Sequence, residues 1–147
     1  MHLRDFARKI DGLTPNTKPK WGKMTPQHMV EHLSDTLKIA IGEIEIPVYT
    51  SENQLAEMRR FLMSDRALPR GVVSPAIGSD LPKLRNDSFE RALTEFWKYV
   101  YAFEKYYRQN PEANHVNPAF GNLTYPEWFQ FMNKHFTHHF EQFGLIE

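Results

Sequence analysis

Cysteine is absent from this chain of 147 residues. Disulfides, thiolate zinc sites and a cysteine nucleophile are thereby excluded, and His, Asp and Glu remain as the strong metal ligands. An excess of charge is absent as well. Lys plus Arg equals Asp plus Glu at 18 each, which leaves no electrostatic footprint for nucleic acid. No apolar run approaches the about 18 residues of a membrane-spanning helix, and the N-terminus Met1-His2-Leu3-Arg4-Asp5-Phe6 has no hydrophobic signal core. No membrane partner and a cytoplasmic protein are the expectation. Internal repeats and low-complexity tracts are lacking too.

What is present is aromatic. Eleven Phe in a chain that is 14% Phe, Trp and Tyr promise a well-packed interior, and the length suits one domain over residues 1–147. The most informative stretch lies near the end. Thr124 is placed to cap a helix, Glu127 follows three residues later as in a capping box, and Gly144 marks a stop. At about 100° per residue, Trp128, Phe129, Met132, Phe136, Phe140 and Phe143 share one sector. His135, His139 and Gln142 fall inside it, and His138 lies near its edge. A buried imidazole needs partners for its ring nitrogens. Two of them four residues apart stand one above the other, the arrangement by which one helix gives two nitrogens to one metal ion. The Glu of the His-Glu-x-x-His motif is not there, and structural core histidines are the alternative reading of the pair.

Taken in order, residues 2–12 predict a short first helix, and 14–23 a loop. Its Lys18, Lys20 and Lys23 read as a solvated face or as a place for an anionic ligand. A second helix starts at the Thr25 cap with Pro26 in its first turn and runs through Met29, Leu33, Leu37, Ala40 and Ile41 to Gly42. On it His32 stands at the border of the apolar sector, His28 close to the opposite face, and Glu31 and Asp35 outward with no assigned role. Residues 43–50 read as a connection and 51–63 as a short helix capped by Ser51. Residues 64–87, with Pro69, Gly71, Pro75, Gly78 and Pro82, form a long crossover loop. A third long helix follows from Ser88 to Asn110, with Phe89, Leu93, Phe96, Val100, Phe103 and Tyr107 as its seam. A loop containing Asn117-Pro118-Ala119-Phe120-Gly121 leads to the last helix. His2 and His115 read as solvated, and the Tyr99, Tyr101, Tyr106 and Tyr107 cluster as packing or a subunit contact. The pattern predicts an all-α fold, a four-helix bundle with long crossover connections.

Three blocks carry a resemblance: Trp21-Gly22-Lys23-Met24-Thr25-Pro26-Gln27-His28-Met29-Val30-Glu31-His32-Leu33, then Asn117 to Trp128, then His135-x-x-His138-His139-x-x-Gln142-Phe143-Gly144. In order and spacing they resemble the DinB-like superfamily, in a bacterial branch of it. The resemblance implies a four-helix bundle with up-down-down-up connectivity. It also implies a divalent metal, zinc or nickel, held by three histidines. Carried over residue by residue, these are His32, His135 and His139, the same rings selected by the helical wheels. Relatives usually show His at Asn117 and often Asp at Thr137, so those positions depart from the family's pattern.

Three imidazoles leave a metal with open positions, the catalytic pattern. By resemblance the activity is that of a metal-dependent enzyme acting on a small molecule. The first form is transfer of a low-molecular-weight thiol to a small electrophilic substrate; hydrolysis is an alternative. A metal-free, non-enzymatic stress-response or binding scaffold is the reading from another class, and a homodimer is a further expectation. Gln142 reads as a partner of a ligand ring or metal-bound water, or equally as a helix-end group bonded to backbone. Trp21 and Trp128 read as core or as the walls of a pocket.

Overall fold

The computed structural model describes residues 2–71 and 80–147. Among these the chain is mostly helical: α1 (Leu3–Ala7), α2 (Pro26–Ala40), α3 (Leu55–Met63), α4 (Phe89–Gln109) and α5 (Tyr125–Gln142). Strands β1 (Asn114–Asn117) and β2 (Gly121–Thr124) pair antiparallel between α4 and α5.

The helix starts follow from local chemistry. The Thr25 hydroxyl accepts the His28 amide N–H at 3.2 Å, and the Thr25 N–H reaches back to His28 Nδ1 at 3.3 Å, so His28 closes the cap rather than facing solvent alone. Ser88 accepts the Arg91 N–H at 3.1 Å. The Glu127 carboxylate accepts the Thr124 N–H at 3.0 Å. After α5 the chain turns at Gly144, at φ +72°, as a helix stop requires.

Packing then assembles the elements. α2 makes its largest contact with α4, and α1 lies against α4 and α5. Met29, Leu33 and Leu37 of α2, Phe96, Val100 and Phe103 of α4, and Trp128, Phe136 and Phe140 of α5 have no exposed surface. Each such side chain contributes about 1.5–3 kcal/mol by leaving water. The α4 seam is broader than its sequence spacing implies. Leu93 is only partly buried, whereas Ala92 and Tyr99 are covered.

Several expectations need correction. The fold is not all-α, because the Asn117-Pro118-Ala119-Phe120-Gly121 turn closes a β-hairpin. The Asn117 side-chain oxygen accepts the N–H groups of Ala119 and Phe120 at 2.9 and 3.1 Å. Four-residue strands are too short to show alternation, and this pair is held by what covers it: Phe120 and Leu123 are buried, and Trp128 Nε1–H donates to the His115 carbonyl at 3.0 Å. The first helix is α only to Ala7 and continues as a 3-10 stretch, Arg8–Gly12. Ser51 precedes a 3-10 turn, Glu52–Gln54, and bonds the Asn53 and Gln54 side chains instead of capping α3. His115 is not solvated. It sits on β1 with its Nε2 2.6 Å from the Tyr106 hydroxyl.

The described parts of the 64–87 crossover contain no helix or strand; Pro75 and Gly78 lie outside the described residues. Both ends are tied down. At the start, Gln130 and Lys134 of α5 donate to the Ser64 and Arg66 carbonyls. Side chains four apart on a helix advance about 6.0 Å, and residues two apart on an extended chain advance about 6.6 Å, so the two rows stay in step. At the far end, Glu31 of α2 accepts the backbone N–H groups of Arg85 and Asn86, both at 3.0 Å. The described ends of the crossover therefore rest on α5 and on α2.

Candidate metal centre

α2 and α5 are the elements that carry the histidines. Because α2 buries Met29 and Leu33 against α4, the intervening border position puts His32 on the side of α2 that faces α5. His135 and His139 follow one another up α5, one turn apart. The result joins residues 103 positions apart: His32 Nε2 lies 2.9 Å from His135 Nε2. His139 Nε2 lies 3.2 Å from His135 Nε2. The ring centroids form a triangle of 4.8, 4.8 and 5.0 Å. His135 and His139 are buried and His32 is partly exposed.

All three rings are neutral near pH 7. Burial, then the charge of His138, pushes His32 down to about 4. His135 is held well below the ordinary imidazole range by burial first, then by His139 and His32. His139 is likewise well below it, from burial and then His32, with the Gln142 bond acting in the opposite direction.

The hydrogen bonds around His139 determine its tautomer. The Trp21 carbonyl can only accept, so the amide nitrogen of Gln142 faces it, at 3.0 Å. The amide oxygen of Gln142 then faces His139 Nδ1 at 2.7 Å. Nδ1 must carry the proton, and His139 Nε2 presents a bare lone pair. His135 Nε2 stands against both neighbours. If it is protonated, its proton reaches one of them and it has no lone pair for the other. If it is bare, two lone pairs face each other across 3.2 Å. Three neutral rings cannot make both short contacts into hydrogen bonds.

A divalent ion suits this donor set. Tetrahedral bonds of about 2.0–2.1 Å to imidazole nitrogen separate the nitrogens by about 3.3 Å, within a few tenths of an ångström of the two contacts made by His135 Nε2. The three histidines could hold a metal ion: among the described residues they form one group whose ligand atoms all lie within 4.8 Å of one another. With an ion at Nε2, His135 Nδ1 carries a proton. That atom is buried and has no hydrogen-bond partner among the described residues, so His139 is the ligand with the firmer support.

The remaining candidates sort by what they touch. Gln142 is 5% exposed and bonds the His139 ring as well as backbone. Trp128 is core, with no exposed surface. Trp21 is half-buried beside the centre, its ring 5.6 Å from that of His138 and under the Arg70 guanidinium at 4.0 Å. His138 in turn lies edge-on to His139 at 4.9 Å. Lys18, Lys20 and Lys23 are exposed. The Asn117 oxygen is spent on the hairpin turn. Thr137 lines a cleft of about 340 Å³ between α5 and residues 64–68, together with Lys134, His138 and Glu141.

Two roles escaped the sequence reading. Glu31 is buried at 5% exposure rather than outward, because the crossover covers the face that a wheel assigns to solvent. The Trp21 carbonyl supports the His139 ring through Gln142, and a backbone atom leaves no side-chain signature. Among the described residues, no helix is long and apolar enough to cross a membrane.

No curated protein and no solved structure matches the chain significantly. The family model of the DinB superfamily matches residues 1–143, nearly the whole length, and the chain belongs to the DinB superfamily.

Proposed function

We propose that this protein is a divalent-metal-dependent enzyme acting on a small molecule, with His32, His135 and His139 as the ligands and zinc or nickel as the metal. The observation that carries the reading is the pair of contacts at His135 Nε2, 2.9 and 3.2 Å, which neutral imidazoles alone cannot satisfy. When bound, such an ion acts as a Lewis acid and lowers the pKa of a water or thiol that it coordinates. The chain's own residues do the rest. Burial keeps the rings neutral and available as ligands. Gln142 orients His139, and the partly exposed His32 marks the side from which a small molecule reaches the centre.

The reaction we propose is transfer of a low-molecular-weight thiol to a small electrophile, with metal-dependent hydrolysis as the alternative for the same centre. The reading extends to a single domain over 1–147 built as a four-helix bundle of up-down-down-up connectivity, to a cytoplasmic location, and to a homodimer. The fold is supported by family membership and by the packing of α2 on α4 and of α1 on α5.

Elemental analysis of protein purified without a histidine tag tests the centre. Near-stoichiometric zinc or nickel is expected, and it is lost in His32→Ala, His135→Ala and His139→Ala. Metal retained by all three variants would overturn the reading. A metal-free protein indifferent to chelator would favour a scaffold role.

A further inference from the structure

The loop between residue 13 and α2 is bound to the end of α5 at two points. The Lys20 N–H donates to the Gln142 backbone carbonyl at 2.7 Å, and the Gln142 side-chain amide donates to the Trp21 carbonyl at 3.0 Å. The next residue, Gly22, has φ +82°, a conformation in which a side chain is strained. A Cβ there would stand 3.0 Å from Gln142 Nε2, so the backbone approaches the amide as closely as a glycine permits. Among the contacts of Gln142, each is used: one amide proton on Trp21, the oxygen on His139 Nδ1.

We infer that the Trp21–Gly22 turn is a positioning element for the metal centre: it holds the Gln142 amide in one orientation, which keeps His139 as the Nδ1–H tautomer and aims its Nε2 lone pair at His32 and His135. Without the Trp21 carbonyl, the amide is free to rotate by half a turn and offer its N–H₂ to Nδ1. That favours the opposite tautomer, with the Nε2 proton directed into the centre. His135 has no comparable partner at Nδ1, so this one link sets how many lone pairs converge. Gly22 and Gln142 thus act through His139, as positioning residues. The inference rests on the metal reading for its consequence, but the tautomer can be read without any metal.

The test uses the full chain as Gly22→Ala and Gln142→Leu, with Gly71→Ala as the control. Gly71 shares the positive φ, +75°, yet among the described residues a Cβ there meets nothing within 4 Å, so it reports backbone strain. The first measurement is the ¹⁵N chemical shifts of the His139 ring in metal-free protein. The second is zinc affinity by competition with a chelator. In the wild type and Gly71→Ala, Nδ1 is expected to show the protonated-nitrogen signature. In Gly22→Ala and Gln142→Leu the signature moves toward Nε2, and zinc affinity falls about 10- to 100-fold. A wild-type His139 protonated at Nε2 overturns the inference, and so does an unchanged tautomer and affinity in the folded variants. A wild type that binds no zinc while the tautomer still shifts overturns the metal reading and upholds the positioning role.

Discussion

Trp128 shows how much rests on single side chains. It has no exposed surface, it meets Phe131 edge-on at 5.7 Å, and its only polar atom is bonded to the His115 carbonyl. Trp128→Ala therefore removes the lock between α5 and the hairpin as well as a large apolar volume, and urea denaturation should register a loss of about 3–5 kcal/mol. A milder case is Tyr107, whose buried hydroxyl donates to the Ala40 carbonyl at 2.5 Å. Tyr107→Phe leaves the ring in place and orphans that carbonyl near the end of α2, for an expected loss of about 1–2 kcal/mol in the same measurement. At this scale the sequence was a good guide to which residues are inside. It was a poor guide to what their polar atoms do, since a helical wheel gives direction and not partners.

At the scale of elements, the crossover is the part that depends on others. Its far end is gathered by Glu31, which accepts from Gln27, Arg85 and Asn86, while Arg85 also pairs with Asp35 and Glu95. Glu31→Ala leaves these donors without their acceptor. The expected loss is about 2–4 kcal/mol, with faster hydrogen exchange at the Arg85 and Asn86 amides. Burial works against ionisation of Glu95, but the bonds from Arg85 and Lys38 outweigh it and hold the carboxyl below the usual glutamate range. A carboxyl with a depressed folded pKa contributes stability that is present above the unfolded value of about 4.5 and is lost as pH falls through the lower folded value. Thermal melts between pH 7 and 3 should show that acid limb in the wild type and a flatter one in Glu95→Gln. Equal slopes in the two would refute the pairing as its source. The buried histidines also cost stability as pH falls below the ordinary imidazole value, down to about 4 for His32, so their limb runs into that of Glu95 and the difference between wild type and Glu95→Gln is what isolates the carboxyl.

For the whole molecule, the centre joins α2 to α5, so an ion bound there stabilises the folded state by mass action. At a free zinc concentration one hundred times Kd the gain is about 2.7 kcal/mol. For a chain of this size that corresponds to a rise in Tm of several degrees, at about 2–4 °C per kcal/mol. Chelator should reverse the rise, and His135→Ala should not show it. Long helices and their caps were readable beforehand, because Thr25 and Ser88 accept the amides three residues on and the Glu127 carboxylate accepts the Thr124 amide. The β-hairpin was not, because Asn114–Asn117 and Gly121–Thr124 gain their stability from Trp128 and from burial of Phe120 and Leu123.

The order of residues alone placed His135 and His139 on one face of one helix, and His32 at the edge of another, because helical periodicity is a local rule obeyed over a few turns. Only the packed chain brought ring 32 to within 2.9 Å of ring 135, turned Glu31 from a surface charge into a buried clasp, and chose the tautomer of His139. Each of those depends on contacts made across most of the chain's length, where the deciding atoms are as often backbone carbonyls as side chains.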